Sequence, residues 1–480
     1  MRWFRQLVFY AFVGLYAVLC PLMIFSTLGY VFVPGAEQQI VKTGLIYVSS
    51  APSGASIYLG QRRYTKRTPA VLQGLRPGLY DVRLMLKGHQ AWTRQVAVEP
   101  ERATVLQHAL LLPQPLRPTE FSSGAFDELL PLADTSLLLL SAGPRLGGLM
   151  LYDVKERRGR PLLPMDSPWV DARLLAATSA SDSPALLLHV ATKSGEQRLW
   201  VELARHEPEI EDVTGLLPAG ASRLAWEPAE RRFLFVLKDG LVQRLDRAGG
   251  PPLRVWGRAV GMQLAHNALY ILDENGAVQR FSPDGRLVTE RFAQVLPEHP
   301  SGLIQLEVLP KGDVVLVSKR GELVSSRAVL PPVERGVRGL AVMPKRERVL
   351  FWTRDQLGML QPDDVEEWNH APPPLRVQWL LTEGRDLAQG FWVYDGSHCL
   401  VRDGDRVLLF ALETDGPIQP HELLQVQAGS SIAYDDASGM LYYLDRDSGR
   451  LRALELLPQQ EVLPLPDWIS ERTRTTREAP

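Results

Sequence analysis

Phe233-Leu234-Phe235-Val236-Leu237-Lys238-Asp239-Gly240-Leu241-Val242-Gln243-Arg244-Leu245 reads as two short apolar strands joined by a tight turn. Asp-Gly accepts the positive φ of a two-residue hairpin, and such turns match the twist of the flanking strands. The hairpin recurs along the chain. Leu137–Ser141 leads through a glycine-rich turn to Leu149–Tyr152, and Leu186–Ala191 leads through Lys193-Ser194-Gly195 to Leu199–Leu203. Leu269–Leu272 leads through Asp273-Glu274-Asn275-Gly276 to Ala277–Phe281, and four more begin at Val314, Val349, Phe391 and Leu441, eight in all.

A longer unit surrounds the hairpin. Ser222-Arg-Leu-Ala-Trp226, Arg338-Gly-Leu-Ala-Val342 and Ser430-Ser-Ile-Ala-Tyr434 each precede a polar turn. Ten residues after Leu224, Leu340 and Ile432 stand Leu234, Leu350 and Tyr442. The copies lie 116 and 92 residues apart, which divides into units of 39–46 residues. Short strands repeating at that period predict a β-propeller. No segment after residue 118 carries a long helical period of apolar residues. Eight hairpins predict eight blades over residues 119–466, with seven the alternative if one hairpin belongs to the closure of the ring. No Gly-His and Trp-Asp pair, Tyr-Trp-Thr-Asp or kelch double glycine recurs, so the propeller resembles no named subfamily.

Upstream, Gly44 to Gly60 reads as a strand, a Pro/Gly turn and a second strand. Thr68-Pro69 opens the next segment, Leu75-Arg76-Pro77-Gly78 and Lys87-Gly88-His89 are turns, and Tyr80–Leu84, Gln95–Val98 and Val105–Leu112 alternate like half-buried strands. Residues 44–112 thus form a small all-β module. They resemble the PEGA domain, a small β-sandwich of bacterial envelope proteins. Pro52-Ser53-Gly54-Ala55 stands for its naming motif with serine in place of glutamate, and Gly88-His89 departs from the family's Gly-Tyr. The resemblance implies a spacer or adhesion-type module without catalytic activity. Pro113-Gln-Pro-Leu-Arg-Pro118 follows as a stiff linker.

Before the module, Leu7 to Val33 is a run of 27 residues without a charged side chain. A bilayer core is crossed by about 20 apolar helical residues, so the run predicts a transmembrane helix at residues 7–33. A cleaved signal peptide has a shorter apolar region, of about 7–15 residues. Leu19 before Cys20 is too large for a lipoprotein signal. Arg2 and Arg5 lie before the run, which predicts residues 1–6 as a cytoplasmic stub. With the resemblance, this places a signal-anchor in a bacterial inner membrane, single-pass, with the later domains periplasmic or extracellular. The charged tail, residues 467–480, is expected to be disordered.

The chain has 480 residues and a net charge of −2, so no basic surplus points to nucleic acid. Its two cysteines, Cys20 and Cys399, cannot pair across a bilayer boundary. None of the nine histidines (His89, His108, His189, His206, His266, His299, His370, His398, His421) pairs at the i, i+4 spacing of a helical metal site. Asp445-Arg446-Asp447-Ser448-Gly449 faintly resembles a calcium loop, but Leu456 stands where a closing glutamate belongs, and a hairpin turn is the better reading. No Gly-x-Ser-x-Gly occurs, and Phe121-Ser122-Ser123-Gly124-Ala125 reads as a loop start. His398 and Cys399 are neighbours in a strand and point to opposite faces. Eight tryptophans fall in the propeller (Trp169, Trp200, Trp226, Trp256, Trp352, Trp368, Trp379, Trp392) and are read as packed between blades. The acidic run 363–367 is read as a solvated loop.

The expectation is therefore an all-β protein of anchor, small sandwich and propeller. No catalytic, cofactor-binding or metal residue is assigned and no cofactor is expected. The propeller is read as a non-catalytic binding or scaffolding platform for another envelope protein or a glycan. The alternative is a propeller enzyme of lactonase or quinoprotein type with its site in the central channel. Polar residues repeating inward from blade to blade would favour that alternative, and the reading of the sequence finds none. A third reading is a purely structural link in an envelope assembly.

Overall fold

Phe233–Lys238 and Leu241–Asp246 pair antiparallel about Asp239 and Gly240, whose φ values are 50° and 75°. Arg223–Trp226 adds on one side and Leu253–Trp256 on the other, giving a four-stranded antiparallel sheet. The computed structural model describes residues 2–27, 30–32, 40–132, 135–179, 185–203, 208–218, 220–221, 223–227, 232–295, 302–331, 333, 335–343, 345, 347–362, 373–412 and 418–457. Over these residues the sheet unit repeats as eight blades. They cover residues 128–161, 173–212, 223–256, 259–294, 305–325, 339–381, 387–425, and 433–455 together with 119–125.

The last blade mixes the two ends of the propeller. Ala433–Asp435, Met440–Leu444 and Arg450–Glu455 come from the carboxy-terminal side, and Thr119–Ala125 pairs antiparallel on the outside of Arg450–Glu455. The stretch Phe121 to Ala125, read from sequence as a loop start, is thus the strand that closes the ring. Its exposed edge position asks for little alternation of apolar residues, which is why the sequence pattern hides it.

Blade 5 is short by a strand. Only Gln305–Val308, Val314–Val317 and Leu323–Ser325 pair there, and Val329–Leu330 crosses to lie parallel on Leu375–Leu381 as a fifth strand of blade 6. Arg327 sits at the crossing. Its Nε donates to Asp313 Oδ2 at 2.5 Å, and its guanidinium lies 3.6 Å from Glu347.

The core lies between blades rather than at the centre. Eight apolar clusters each join one blade to the next, from blades 1 and 2 round to blades 8 and 1. In the cluster of blades 2 and 3, Trp200 packs edge to face on Trp226 at 4.8 Å. Gly358 is small because Phe351 lies across it: a Cβ there would stand 2.2 Å from the ring.

The amino-terminal module is a sandwich of two sheets. Ala70–Leu75, Gly44–Ala51 and Ala103–Leu110 form one, and Arg62–Arg67, Ser56–Leu59, Gly78–Met85 and Trp92–Val98 the other. Ile46, Val48, Ile57, Val82, Leu84, Ala109 and Leu111 fill its own core. The alternate residues face outward: Ala51, Leu110 and Leu112 join the cluster of blades 7 and 8, with Leu116 against it. The proline-rich segment is tied back as well, since the Gln90 amide donates to Leu112 O at 2.8 Å and the Gln114 amide to Gly88 O at 2.9 Å.

The reading of Leu7–Val33 as one membrane-crossing rod is corrected. The helix is Arg2–Thr27 with Pro21 inside it, and Tyr30–Phe32 is a strand paired with Ile40–Lys42. Strand hydrogen bonds to a later segment replace the helical ladder there. Among the described residues no helix is long and apolar enough to cross a membrane. The transmembrane helix, the signal-anchor and the inner-membrane, single-pass localisation fall with that finding. The acidic run 363–367 and the tail 467–480 lie outside the described residues.

Candidate functional site

Antiparallel strands put the first-to-second and third-to-fourth turns of every blade on one face of the ring. The small sandwich sits on that face. Tyr394 and Ser397, in the first turn of blade 7, meet the strand Ala103–Leu110: Tyr394 Oη donates to Gln107 O at 3.3 Å, and its ring lies edge-on to His108 at 5.1 Å. A cavity of about 80 Å³ remains between the two bodies, lined by Trp92, Arg94, Gln107, His108, Ser397 and His398.

Ser397 and His398 form a serine–histidine contact that sequence reading missed, with Oγ 2.8 Å from Nδ1. Ser397 Oγ is also 2.7 Å from Tyr394 O. A carbonyl only accepts, so the single hydroxyl proton goes to Tyr394 O and Nδ1–H of His398 donates to Oγ. The imidazole therefore does not receive the serine proton, and Ser397 is 0 % exposed. The pair holds a turn together. Cys399, next in the strand, lies in the core between blades 6 and 7, where burial pushes its thiol up and keeps it uncharged.

The centre of the ring carries a polar repeat. Gln263 on the inner strand of blade 4 donates through Nε2 to Leu306 O at 2.7 Å and accepts through Oε1 from Leu306 N at 2.8 Å. Gln305 of blade 5 makes the same two bonds to Leu340 of blade 6, at 2.9 and 3.2 Å. Gln389 of blade 7 accepts from Ile432 N of blade 8 at 2.8 Å. Leu340 and Ile432 are the repeat positions of the sequence. The signal was present there: Gln305 follows Gln263 by 42 residues and Gln389 follows Gln305 by 84. A search for acidic residues and histidines passes over it. These amides are spent on the backbone of the next blade. Arg223 acts similarly, donating to the carbonyls of Leu303 and Ile304, and its burial lowers the guanidinium from its ordinary value.

The large cleft lies on the face that carries the sandwich, between blades 1 and 2. It encloses about 970 Å³. Leu151, Leu162, Leu163 and Leu203 close its base as buried members of the core between blades 1 and 2, Pro161, Pro164 and Met165 give it exposed apolar surface, and Arg158, Arg160, Asp153 and Glu156 rim it. Asp153 is engaged in its own turn, accepting from Ser136 Oγ at 3.1 Å and from the amides of Lys155 and Glu156. Met165 at the cleft edge is 93 % exposed. Turn lengths and outer-strand positions build this cleft, so nothing in the local sequence marks it.

The tryptophans are mostly structural. Trp200, Trp226, Trp352 and Trp392 are buried, and Trp392 Nε1 donates to Ala341 O of blade 6 at 2.8 Å. Trp169 Nε1 donates to Gln197 at 3.1 Å, and Trp256 packs on Phe281. Trp379 is 38 % exposed, and Trp368 lies outside the described residues. His206, His299 and His370 also lie outside them. Among the described residues no three metal-binding side chains stand together. Asp445 accepts from Ser448 N and Oγ, at 3.2 and 2.7 Å, and turns the chain between two strands of blade 8.

Residues 43–112 match the family model of the PEGA domain. No curated protein sequence matches the chain. Solved structures similar to it include the Dos1 propeller, at 11% identity and TM-score 0.42, covering 72% of this chain and 96% of that one. The β-propeller domain of Myceliophteria thermophila Cps50 (Swd1) is similar at 10% identity and TM-score 0.37, over 71% of this chain and 99% of that one. Kluyveromyces lactis Hsv2 is similar at 13% identity and TM-score 0.37, over 71% and 100%.

Proposed function

We propose that the propeller is a non-catalytic binding or scaffolding platform and that its partner is another protein, held at the cleft between blades 1 and 2. The observation that carries this reading is the cleft itself, whose exposed Pro161, Pro164 and Met165 beside Arg158 and Arg160 suit a protein segment with apolar and acidic side chains. A glycan is the weaker reading, because sugars stack on exposed aromatic faces and the described propeller tryptophans are largely packed between blades. The channel enzyme is disfavoured by chemistry: the glutamines that repeat there, Gln263 and Gln305, bond to the backbone of the next blade.

A photo-crosslinking residue at Leu163, in cells of the source organism, should give one defined protein adduct. The same residue at Asp239, in a turn on the opposite face, should not. Arg160→Glu should remove the adduct without lowering the melting temperature. Equal adducts from both faces, or a purified chain that turns over a lactone or carries a redox cofactor, would defeat the reading.

A further inference from the structure

We propose that the amino-terminal sandwich carries a second interaction surface, a basic sheet face that takes an acidic segment of a partner protein. This surface is separate from the cleft and does not depend on it. It belongs to the sheet of Arg62–Arg67, Ser56–Leu59, Gly78–Met85 and Trp92–Val98, in that order. Trp92 and Arg94 border the cavity against the propeller. The opposite edge, Arg62–Arg67, therefore stands three strand spacings away, about 14 Å. Residues 44–112 hold nine lysines and arginines against three aspartates and glutamates, a net +6 in a chain whose total is −2.

The first support is register. Alternation sends Ile57, Val82 and Leu84 into the sandwich core and turns Ser56, Tyr58, Arg83 and Met85 outward. Tyr58 pairs with Arg63 on one side and Arg83 on the other, and Ser56 pairs with Arg67 and Met85. Directly opposed residues share a face, so Arg63, Arg67, Arg83 and Met85 surround Tyr58 on the outside of the sheet. The side chains agree with the register: the Arg83 guanidinium lies over the Tyr58 ring at 5.1 Å, and Arg63 Nη2 reaches Ser56 Oγ at 3.5 Å. All three arginines and Met85 are exposed.

The second support is charge. The propeller pairs its exposed arginines with carboxylates, Arg232 with Asp246, Arg338 with Asp386 and Arg450 with Glu120. Among the described residues Arg63, Arg67 and Arg83 meet none. Asp81, on the same face, accepts from Gln95 Nε2 at 2.9 Å, and Glu99 and Glu101 pair with Arg102 and Lys42. Charged side chains on an edge strand keep other strands from adding there, which accounts for Arg63 and Arg67. Arg83 lies two strands inside the edge, where there is no edge to guard. Three like charges on one face repel one another, and a segment bearing carboxylates relieves that repulsion. Each guanidinium can hold a carboxylate through two parallel hydrogen bonds. Arginine, tyrosine and methionine are the side chains that protein interfaces favour, so Tyr58 and Met85 beside the arginines fit a protein better than a purely charged polymer.

The test uses the purified full chain and a fluorescent synthetic peptide that repeats Glu-Glu-Leu over about twelve residues, enough to cross the sheet when extended. The peptide should bind. Arg63→Glu with Arg83→Glu should weaken it by at least about tenfold, since two charge-assisted contacts become repulsive. The melting temperature should not fall, because both side chains are exposed. Met85→Ser should weaken the peptide several-fold at low and high salt alike. Arg258→Glu with Arg354→Glu, at exposed arginines of the propeller, should leave binding unchanged. An equal loss from the propeller pair, binding indifferent to Arg63 and Arg83, or tighter binding of polygalacturonate or of phosphatidylglycerol vesicles than of the peptide would overturn the inference.

Discussion

Leu112→Ala should loosen the propeller, although Leu112 belongs to the amino-terminal sandwich. Leu111 and Leu112 are adjacent and chemically identical, but alternation sends them to different cores. Leu111, 0 % exposed, lies among Ile46, Val48 and Leu84. Leu112, 9 % exposed, lies with Leu400, Leu409, Leu423 and Leu454 of blades 7 and 8. Truncating a buried leucine to alanine costs about 2–5 kcal/mol, the lost transfer energy plus the cavity left behind. Leu112 retains slight exposure, so about 2–4 kcal/mol is expected. The readout is hydrogen exchange followed by mass spectrometry, peptide by peptide. Leu112→Ala should lower the opening free energy of peptides from residues 387–425 and 440–455 by that amount. Leu111→Ala should act on peptides from residues 44–98 and leave blade 7 protected. If Leu112→Ala leaves the exchange of blades 7 and 8 unchanged, the docking of the sandwich is not part of the propeller's stability, and a chain starting at Pro118 would be equally stable.

Two further outcomes follow from single residues. Gln263→Leu strips the Leu306 amide and carbonyl of both partners, so it should cost about 2–4 kcal/mol in urea unfolding while leaving the Leu163 adduct intact. Asp436 is held above the usual carboxylate range, first by burial and then by Asp395 and Asp435, against the opposing pull of Lys345. A raised folded-state value means the native protein holds this proton more firmly than the unfolded chain. Stability contributed by the protonated group is therefore lost as pH climbs from the unfolded value through the raised folded one. Asp436→Asn should stabilise the protein at neutral pH, and the gain should vanish in acid below the ordinary carboxylate value. Unfolding midpoints at both pH values check it, and a gain independent of pH would refute the assignment.

Much of the architecture was legible because it is local. Asp239-Gly240 and Asn275-Gly276 set hairpin dihedrals within a few residues, and alternating leucines and valines declare strands whatever lies elsewhere in the chain. Pro52-Ser53-Gly54-Ala55, Thr68-Pro69 and Leu75-Arg76-Pro77-Gly78 declare the turns of the sandwich for the same reason. The candidate site was hardly legible. Its leucines look like any blade leucines until the outer strands and turns of two blades stand beside each other.

What the sequence by itself determined was the repeating strand unit, its period and the family of the small module, all governed by turn chemistry and side-chain alternation. Only the tertiary structure decided which distant segments meet. Thr119–Ala125 closes the ring across 330 residues, from Glu120 to Arg450. Val329–Leu330 leaves blade 5 for blade 6, Leu112 turns away from its own sandwich, and the apolar run at the amino terminus divides into helix and strand. Each of these choices is made by competition among strand edges and apolar surfaces far apart in the chain, and that competition is settled by burial in three dimensions, which no local pattern of residues encodes.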